Sequence, residues 1–186
     1  MKAYYQIGLC LLGYTVIKKD GCMKKITLRE INNSDVALLT EWFKKDYILK
    51  WYQDTADWLR EINERKGEFI WIHHFMVIDM DKNKETPIGF CQYYDCYDAN
   101  DMEIWYEVTK RGDTFSIDYL IGNESYLCKG YGKAIVKLLT ETVWQKEQAN
   151  QIIVQPDRGN HASNHVLMAN GYVYDEYKNY YYKRLK

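Results

Sequence analysis

Apolar and polar positions alternate in ITLREI (26–31), which predicts a first strand, because a period of two sends successive side chains to opposite faces. Val36, Leu38, Leu39, Trp42 and Phe43 then recur at helical spacing behind Asn33-Ser34-Asp35, which reads as an N-cap. A second helix follows, capped by Thr55, with Trp58, Leu59 and Ile62 turned inward. FIWIHHFMVIDM and IGFCQYYD flank the polar turn MDKNKETP and predict a hairpin over 70–95. Residues 96–112 read as an irregular connection with a short strand at EIWYEV. FSIDYLIG is strand-like, CKGYGK (128–133) is a glycine loop, and 131–147 is a helix whose inner stripe is Ile135, Leu138, Leu139 and Val143. QIIVQP gives another strand. NHASNHVLMAN gives a short helix stopped at Asn170-Gly171, and YVYDEY with YYYKRL a closing hairpin.

This order is β, α, α, β, β, β, α, β, α, β, β. A strand–helix–strand crossover between 115 and 155 requires a parallel pair inside an otherwise antiparallel sheet. The fold class is therefore α/β with a mixed sheet.

Gly130 and Gly132 sit at the mouth of the 131–147 helix, where free N–H groups and the helix dipole favour an anion. Neither common nucleotide signature fits. The position three after Gly132 is Ile135, so the G-x-G-x-x-G fingerprint fails. Gly132-Lys133 is followed by Ala134 and preceded at five residues by Leu127, so the Walker loop fails too. What is left is an anion cradle of another kind, or a loop whose glycines only close a tight turn.

Length and charge narrow the function classes. The 186 residues suit one domain, and a net charge of −1 gives no basic field for nucleic acid. Tyr is abundant at 18 residues, with 6 Trp, so many hydroxyls belong on strand surfaces or in a cleft where they find partners. Cys10, Cys22, Cys91, Cys96 and Cys128 are odd in number and form no C-x-x-C pair, which points to reduced thiols and a cytoplasmic protein. Cys128 reads either as a reactive thiol near a helix start or as a small filler. His73-His74 and His161/His165 lack partners at metal-motif spacing, so no metal is expected. Residues 1–22 include the apolar run IGLCLLGYTVI, too short to span a bilayer and without a small-x-small cleavage site. They read as an N-terminal extension before a domain over 23–186.

The strand–loop–helix unit and its surroundings resemble the GNAT superfamily of acetyl-CoA-dependent N-acetyltransferases. The resemblance covers roughly residues 24 to 186. Leu127-Cys-Lys-Gly-Tyr-Gly-Lys is similar to the L-G-K-G-x-G-T motif, with Cys128 for its first glycine and Lys133 for its threonine. Asn160 and, ten residues later, Asn170-Gly171-Tyr172 are similar to the N-x-x-A-x-x-x-Y-x-x-x-G-F helix, with Ser163 for the alanine. The resemblance implies acetyl-CoA along Tyr119, Leu120 and Ile121, with Leu127, Cys128, Lys129, Gly130, Tyr131, Gly132, Lys133, Ala134 and Asn160 completing its site. A narrower similarity, to aminoglycoside 6′-N-acetyltransferases, lies in Pro87-Ile-Gly-Phe-Cys-Gln, in Ser116-Ile-Asp-Tyr and in Trp51-Tyr52. It implies Asp118 as base or charge partner of the attacking amine, and Trp51, Tyr52, Gln92, Tyr94 and Trp105 as lining of the acceptor cleft.

Two departures bear on the substrate. Gln155-Pro156 stands where the family has Asp-Pro, with Asp157 two residues on as a candidate replacement, and Leu167 stands where many members carry a proton-donating Tyr. The segment QYYDCYDANDMEIWYEV (92–108) holds Asp95, Asp98, Asp101, Glu103 and Glu107 with no Lys or Arg, either a solvated acidic loop or an attractor for a polycation. The resulting expectation is an acyltransferase acetylating the 6′-amine of aminoglycosides by direct transfer, monomeric or homodimeric, acting on neither nucleic acid nor membrane. The alternatives are a GNAT enzyme for another small amine or a siderophore precursor, and a CoA-binding module without turnover.

Overall fold

The computed structural model describes residues 15–19, 22–80 and 85–186. Eight strands form one sheet: β1 (Thr15–Lys19), β2 (Cys22–Glu30), β3 (Ile72–Asp79), β4 (Thr86–Asp95), β5 (Thr114–Ile121), β6 (Gln151–Val154), β7 (Val173–Asp175) and β8 (Tyr180–Arg184). Their order across the sheet is β1-β2-β3-β4-β5-β6-β8-β7. Every neighbouring pair is antiparallel except β5 and β6. Of the expected extension, residues 1–14, with Cys10, lie outside the described residues, as does the 81–84 part of the polar turn, while 15–19 form the edge strand.

Helices cover both faces, so the central strands are buried on both sides rather than alternating. Leu39, Trp42 and Phe43 of α1 (Val36–Phe43), Ile48 of α2 (Asp46–Leu49) and Ile62 of α3 (Thr55–Asn63) pack on Met76, Ile78, Phe90 and Leu120. On the opposite face, Ile135, Leu138, Leu139 and Val143 of α4 (Tyr131–Glu147) pack on Phe75, Val77, Tyr93 and Ile117, as the stripe predicts. Leu167 of α5 (His161–Ala169) joins this second core.

Several local expectations shift. The first helix is capped one residue earlier than read: the Asn32 side chain accepts from the Ser34 amide at 2.8 Å and opens a 3-10 turn over Asn33–Asp35. Asp35 instead binds Arg29 through two hydrogen bonds of 2.7 and 2.9 Å and accepts from the Asn32 amide, tying β2 to that turn. Thr55 opens α3 but does not cap it, and α2 had no signal in a four-residue segment. EIWYEV forms no strand; the 96–112 connection is irregular throughout.

Two features open the sheet at its centre. Val77 opposes Gly89 and Ile78 opposes Pro87, so Ile88 is an extra residue that bulges β4. Its carbonyl accepts from the amides of Gly122 and Asn123 as the chain leaves β5. Then β5 and β6 pair only over Thr114–Ser116 against Gln151–Ile153. Beyond that point β5 continues beside β4 to Ile121, while Val154 of β6 pairs with Tyr181 of β8. The parallel pair therefore splits into a V, and among the described residues the stretch 117–121 has no strand on that side.

Candidate active site

The split ends at a helix start built to face an anion. Cys128 and Gly130 both adopt left-handed backbone, with φ of 56° and 79°, and α4 begins at Tyr131 directly after them. The first-turn N–H groups of such a helix have no carbonyl one turn earlier to bind, and they carry the positive end of the dipole. Gly130 supplies the conformation that a side chain resists. Gly132 faces α5, where a Cβ would lie 3.4 Å from Val166, an ordinary contact distance. Lys133 is half-buried beside the loop, and the buried Ala134 makes the first helical bond to Gly130, at 3.2 Å. Lys129 is exposed and donates to the Ser125 carbonyl, Leu127 closes the preceding 3-10 turn, and Tyr131 donates to Asp79 across to β3.

Asn160 caps α5 by accepting from the Ser163 amide at 3.1 Å. Ser163 in turn meets the Tyr119 hydroxyl at 2.8 Å, which binds the far wall of the split to β5. Leu120 is buried under α1, and Ile121 gives its carbonyl to the Tyr47 hydroxyl at 2.9 Å.

On the α3 side of the sheet, a cavity of ≈ 210 Å³ opens beside the point where the strands part. Its polar lining comes from Glu61 of α3, Gln92 and Tyr94 of β4, Glu103 and Trp105 of the 96–112 connection, and Asp118 of β5. Ser116 and Gln155 stand at the root of the split, and the rings of Trp58 and Trp71 complete the walls. Three carboxyls thus face one space whose lining contains no Lys, Arg or His.

That arrangement sets the ionisation of the group. Burial pushes Asp118 up to about 7, with the neighbouring Glu103 adding to the rise and a 3.1 Å hydrogen bond from Gln92 opposing it. An ordinary carboxylate would be too weak a base to draw a proton from an amine efficiently; one titrating near neutrality is better matched. Glu61 is likewise pushed to about 7, first by burial and then by Asp118. Glu103 is raised by burial, although it accepts from the Trp105 indole at 2.7 Å and the Tyr94 hydroxyl at 3.5 Å.

The structure brings together Asp118, Gln92, Tyr94 and Trp105 of the expected site, and leaves others apart. Tyr52 does not line the cavity: its hydroxyl donates to the Tyr119 carbonyl at 2.8 Å, and its ring packs on Phe43 and Trp58. Trp51 stands outside the cavity near Gly159, under the Lys50 ammonium. Asp157 is exposed and accepts from the Gly159 amide at 2.6 Å, so the carboxylate missing at Gln155 is not replaced by it in the cavity. Of the five carboxylates in the acidic segment, only Glu103 lines this space. Asp95 holds the amides of Tyr97 and Gly112, and Asp98 pairs with Arg111. Leu167 is buried, and the two nearby hydroxyls are engaged elsewhere, Tyr172 with Thr140 and Tyr174 with Asn179.

Glu61 was not singled out in the sequence. It sits three residues after Trp58 on an amphipathic helix, where a polar residue ordinarily means the solvent face. A larger groove of ≈ 540 Å³ shares Trp105, but it presents Lys110 and Lys178 beside Glu107 and Asp113. Its mixed charge selects no cation.

Comparison with known proteins agrees with this geometry. The model of the acetyltransferase (GNAT) domain matches residues 32–178. The aminoglycoside N(6′)-acetyltransferase type 1 of Klebsiella pneumoniae is 24% identical over 159 residues, covering 84% of this chain and 77% of that protein. Among solved structures, aminoglycoside acetyltransferase AAC(6′)-Ib in complex with coenzyme A superposes with a TM-score of 0.71 at 23% identity, over 86% of this chain and 95% of its own. The same enzyme with coenzyme A and kanamycin gives 0.70, at 23% identity, over 86% and 95% of the two chains.

Proposed function

The chain belongs to the GNAT acetyltransferase family, and on that footing we propose that it acetylates the 6′-amine of aminoglycoside antibiotics by direct transfer. The observation that carries the reading is the cavity of three carboxyls and aromatic walls, with no cationic side chain, at the point where β5 and β6 part. Such a lining complements a polycationic ring and repels an anionic or strongly apolar one.

Acetyl-CoA supplies the activated acyl group. The left-handed turn and the start of α4 suit its pyrophosphate, through the N–H groups of 128–134 and the charge of Lys133. The open side of 117–121 offers backbone groups for the extended remainder and a donor to polarise the thioester carbonyl. Asp118 takes the proton that the acceptor ammonium must lose before it attacks. Because its carboxyl titrates at about 7, it is substantially ionised at neutral pH and still holds a proton once it has one. Gln92 fixes the carboxyl through its 3.1 Å bond, and Tyr94 and Trp105 hold Glu103 in place.

One feature favours a second reading, a smaller amine acceptor. Gln155 lines the cavity where a carboxylate is expected from the resemblance, and Asp157 turns away from it. The deciding assay is release of CoA thiol from acetyl-CoA with kanamycin, set beside a 6′-hydroxyl analogue. Turnover with kanamycin alone supports aminoglycoside 6′-acetylation. Turnover with neither, where a small diamine is acetylated, favours the second reading.

A further inference from the structure

The carboxyl oxygens that line the cavity outnumber the lining donors that reach them. Glu61, Asp118 and Glu103 contribute six carboxyl oxygens, and the donors reaching them from the lining are the Gln92 amide, the Trp105 indole and the Tyr94 hydroxyl. Those of Trp105 and Tyr94 are spent on Glu103, and that of Gln92 goes to Asp118. The other end of the Gln92 carboxamide, Oε1, is buried without a hydrogen-bond partner, on a residue only 2% exposed. A buried acceptor left unmet costs about 1–3 kcal/mol, and this one belongs to a residue that lines the cavity. A complement that brings N–H donors and positive charge matches this lining.

We propose that Glu61 binds a second ammonium group of the acceptor, beside the one that faces Asp118, so that the preferred acceptors carry two amino groups on the enclosed ring. The inference rests on the acetyltransferase reading of the cavity and deepens it by naming a residue that selects the acceptor. At ≈ 210 Å³ the space is smaller than the roughly 300–1,000 Å³ that encloses a drug-sized ligand, so it takes one ring and leaves the rest of a larger acceptor outside. The groups that face Glu61 are Asp118 from β5, Gln92 from β4, Glu103 from the irregular connection and Asp57 from its own helix. None is a cation. One bound ammonium compensates Asp118 but leaves Glu61 a desolvated carboxyl beside other carboxyls; a second compensates both. Glu61 reaches this position because α3 forms part of the cavity wall, with Ile62 anchored in the core and Trp58 lining the same space.

The test compares kanamycin B, which carries amines at the 2′ and 6′ positions of one ring, with kanamycin A, which has a hydroxyl at 2′. Affinity is read by calorimetry and turnover by thiol release, for the wild type, Glu61→Gln and Glu61→Asp. The wild type should favour kanamycin B by about tenfold, the scale of one charge-assisted hydrogen bond. Glu61→Gln should bind the two alike, through loss of affinity for B, and Glu61→Asp should recover part of the preference. Equal binding by the wild type, or a preference that survives in Glu61→Gln, overturns the proposal. Thermal midpoints, expected at or above wild type for Glu61→Gln because a desolvated charge is removed and close to wild type for Glu61→Asp, separate a binding effect from a folding defect. Turnover of both antibiotics without preference leaves 6′-acetylation standing and removes the role of Glu61. Preferential binding of B without turnover of either keeps that role and removes the aminoglycoside reaction.

Discussion

Asp118 should weaken the fold at the pH where it serves the reaction, and Asp118→Asn exposes that cost. Burial holds its carboxyl at about 7 against an ordinary 3.8, a difference whose full stability equivalent is a ceiling of about 4 kcal/mol. Relaxation of the surrounding groups lowers the expected cost to about 1–3 kcal/mol. The sign follows from the direction. The folded state binds the proton more tightly than the unfolded chain, so the penalty is absent below pH about 4, grows between 4 and 7, and is complete above 7. Asparagine keeps an oxygen for the 3.1 Å bond from Gln92 and carries no charge. Asp118→Asn should therefore melt several degrees higher than wild type at pH 8, at about 2–4 °C per kcal/mol for a chain of this size. The advantage should shrink steadily to nothing near pH 4. The same variant should lose about 10²–10⁴-fold in turnover with coenzyme A affinity unchanged. Melting curves at pH 8, 6 and 4.5 with thiol-release rates provide the check. A variant no more stable at pH 8, or an advantage that ignores pH, would refute the account of Asp118 as a desolvated base.

Further outcomes follow from the same geometry. The acid limb of kcat/KM should rise through pH about 7, where Asp118 and Glu61 ionise, and a limb near 4 would mean that the reacting base is a solvated carboxylate. Tyr52→Phe should cost about 1 kcal/mol by removing the hydrogen bond to the Tyr119 carbonyl, with the acceptor KM nearly constant; a large rise in KM would return Tyr52 to the acceptor site. Gly122→Ala should destabilise by about 1–3 kcal/mol or more in a urea titration, because its Cβ would fall 1.9 Å from the indole of the buried Trp42. A neutral result there would mean that α1 stands further from β5.

Much of the fold was legible because its signals are local. The stripe through Ile135, Leu138, Leu139 and Val143 marks α4, and β5, α4 and β6 in sequence require the parallel pair. The chain boundary between α1 and β3 was less legible. The helix-like DYIL is a single turn held by neighbours rather than by its own periodicity. EIWYEV has strand composition but no partner: Trp105 turns to Glu103 and Tyr180, and Asn100 takes both the amide and the carbonyl of Val108. Pairing is a property of two segments, and composition describes only one.

The site was half legible for a related reason. Asp118 and Gln92 are named by the motifs around them, and they meet because the β4–β5 register sets them directly opposite each other. Residues that fill those motifs' neighbourhoods but face elsewhere, such as Tyr52 and Asp157, look the same in the sequence as residues that face the cavity. Glu61 shows the converse. Nothing around it carries a motif, and a charged residue on this amphipathic helix reads as solvent-facing until α3 is seen to line the cavity. The charge that matters is then a sum over three separate segments, α3, the 96–112 connection and β5, each of which brings one carboxyl to the cavity. A chain with a net charge of only −1 can thus hold a site of three carboxyls and no cation. Global charge says little about what such a protein binds; the sign of the few groups that share one desolvated space decides it.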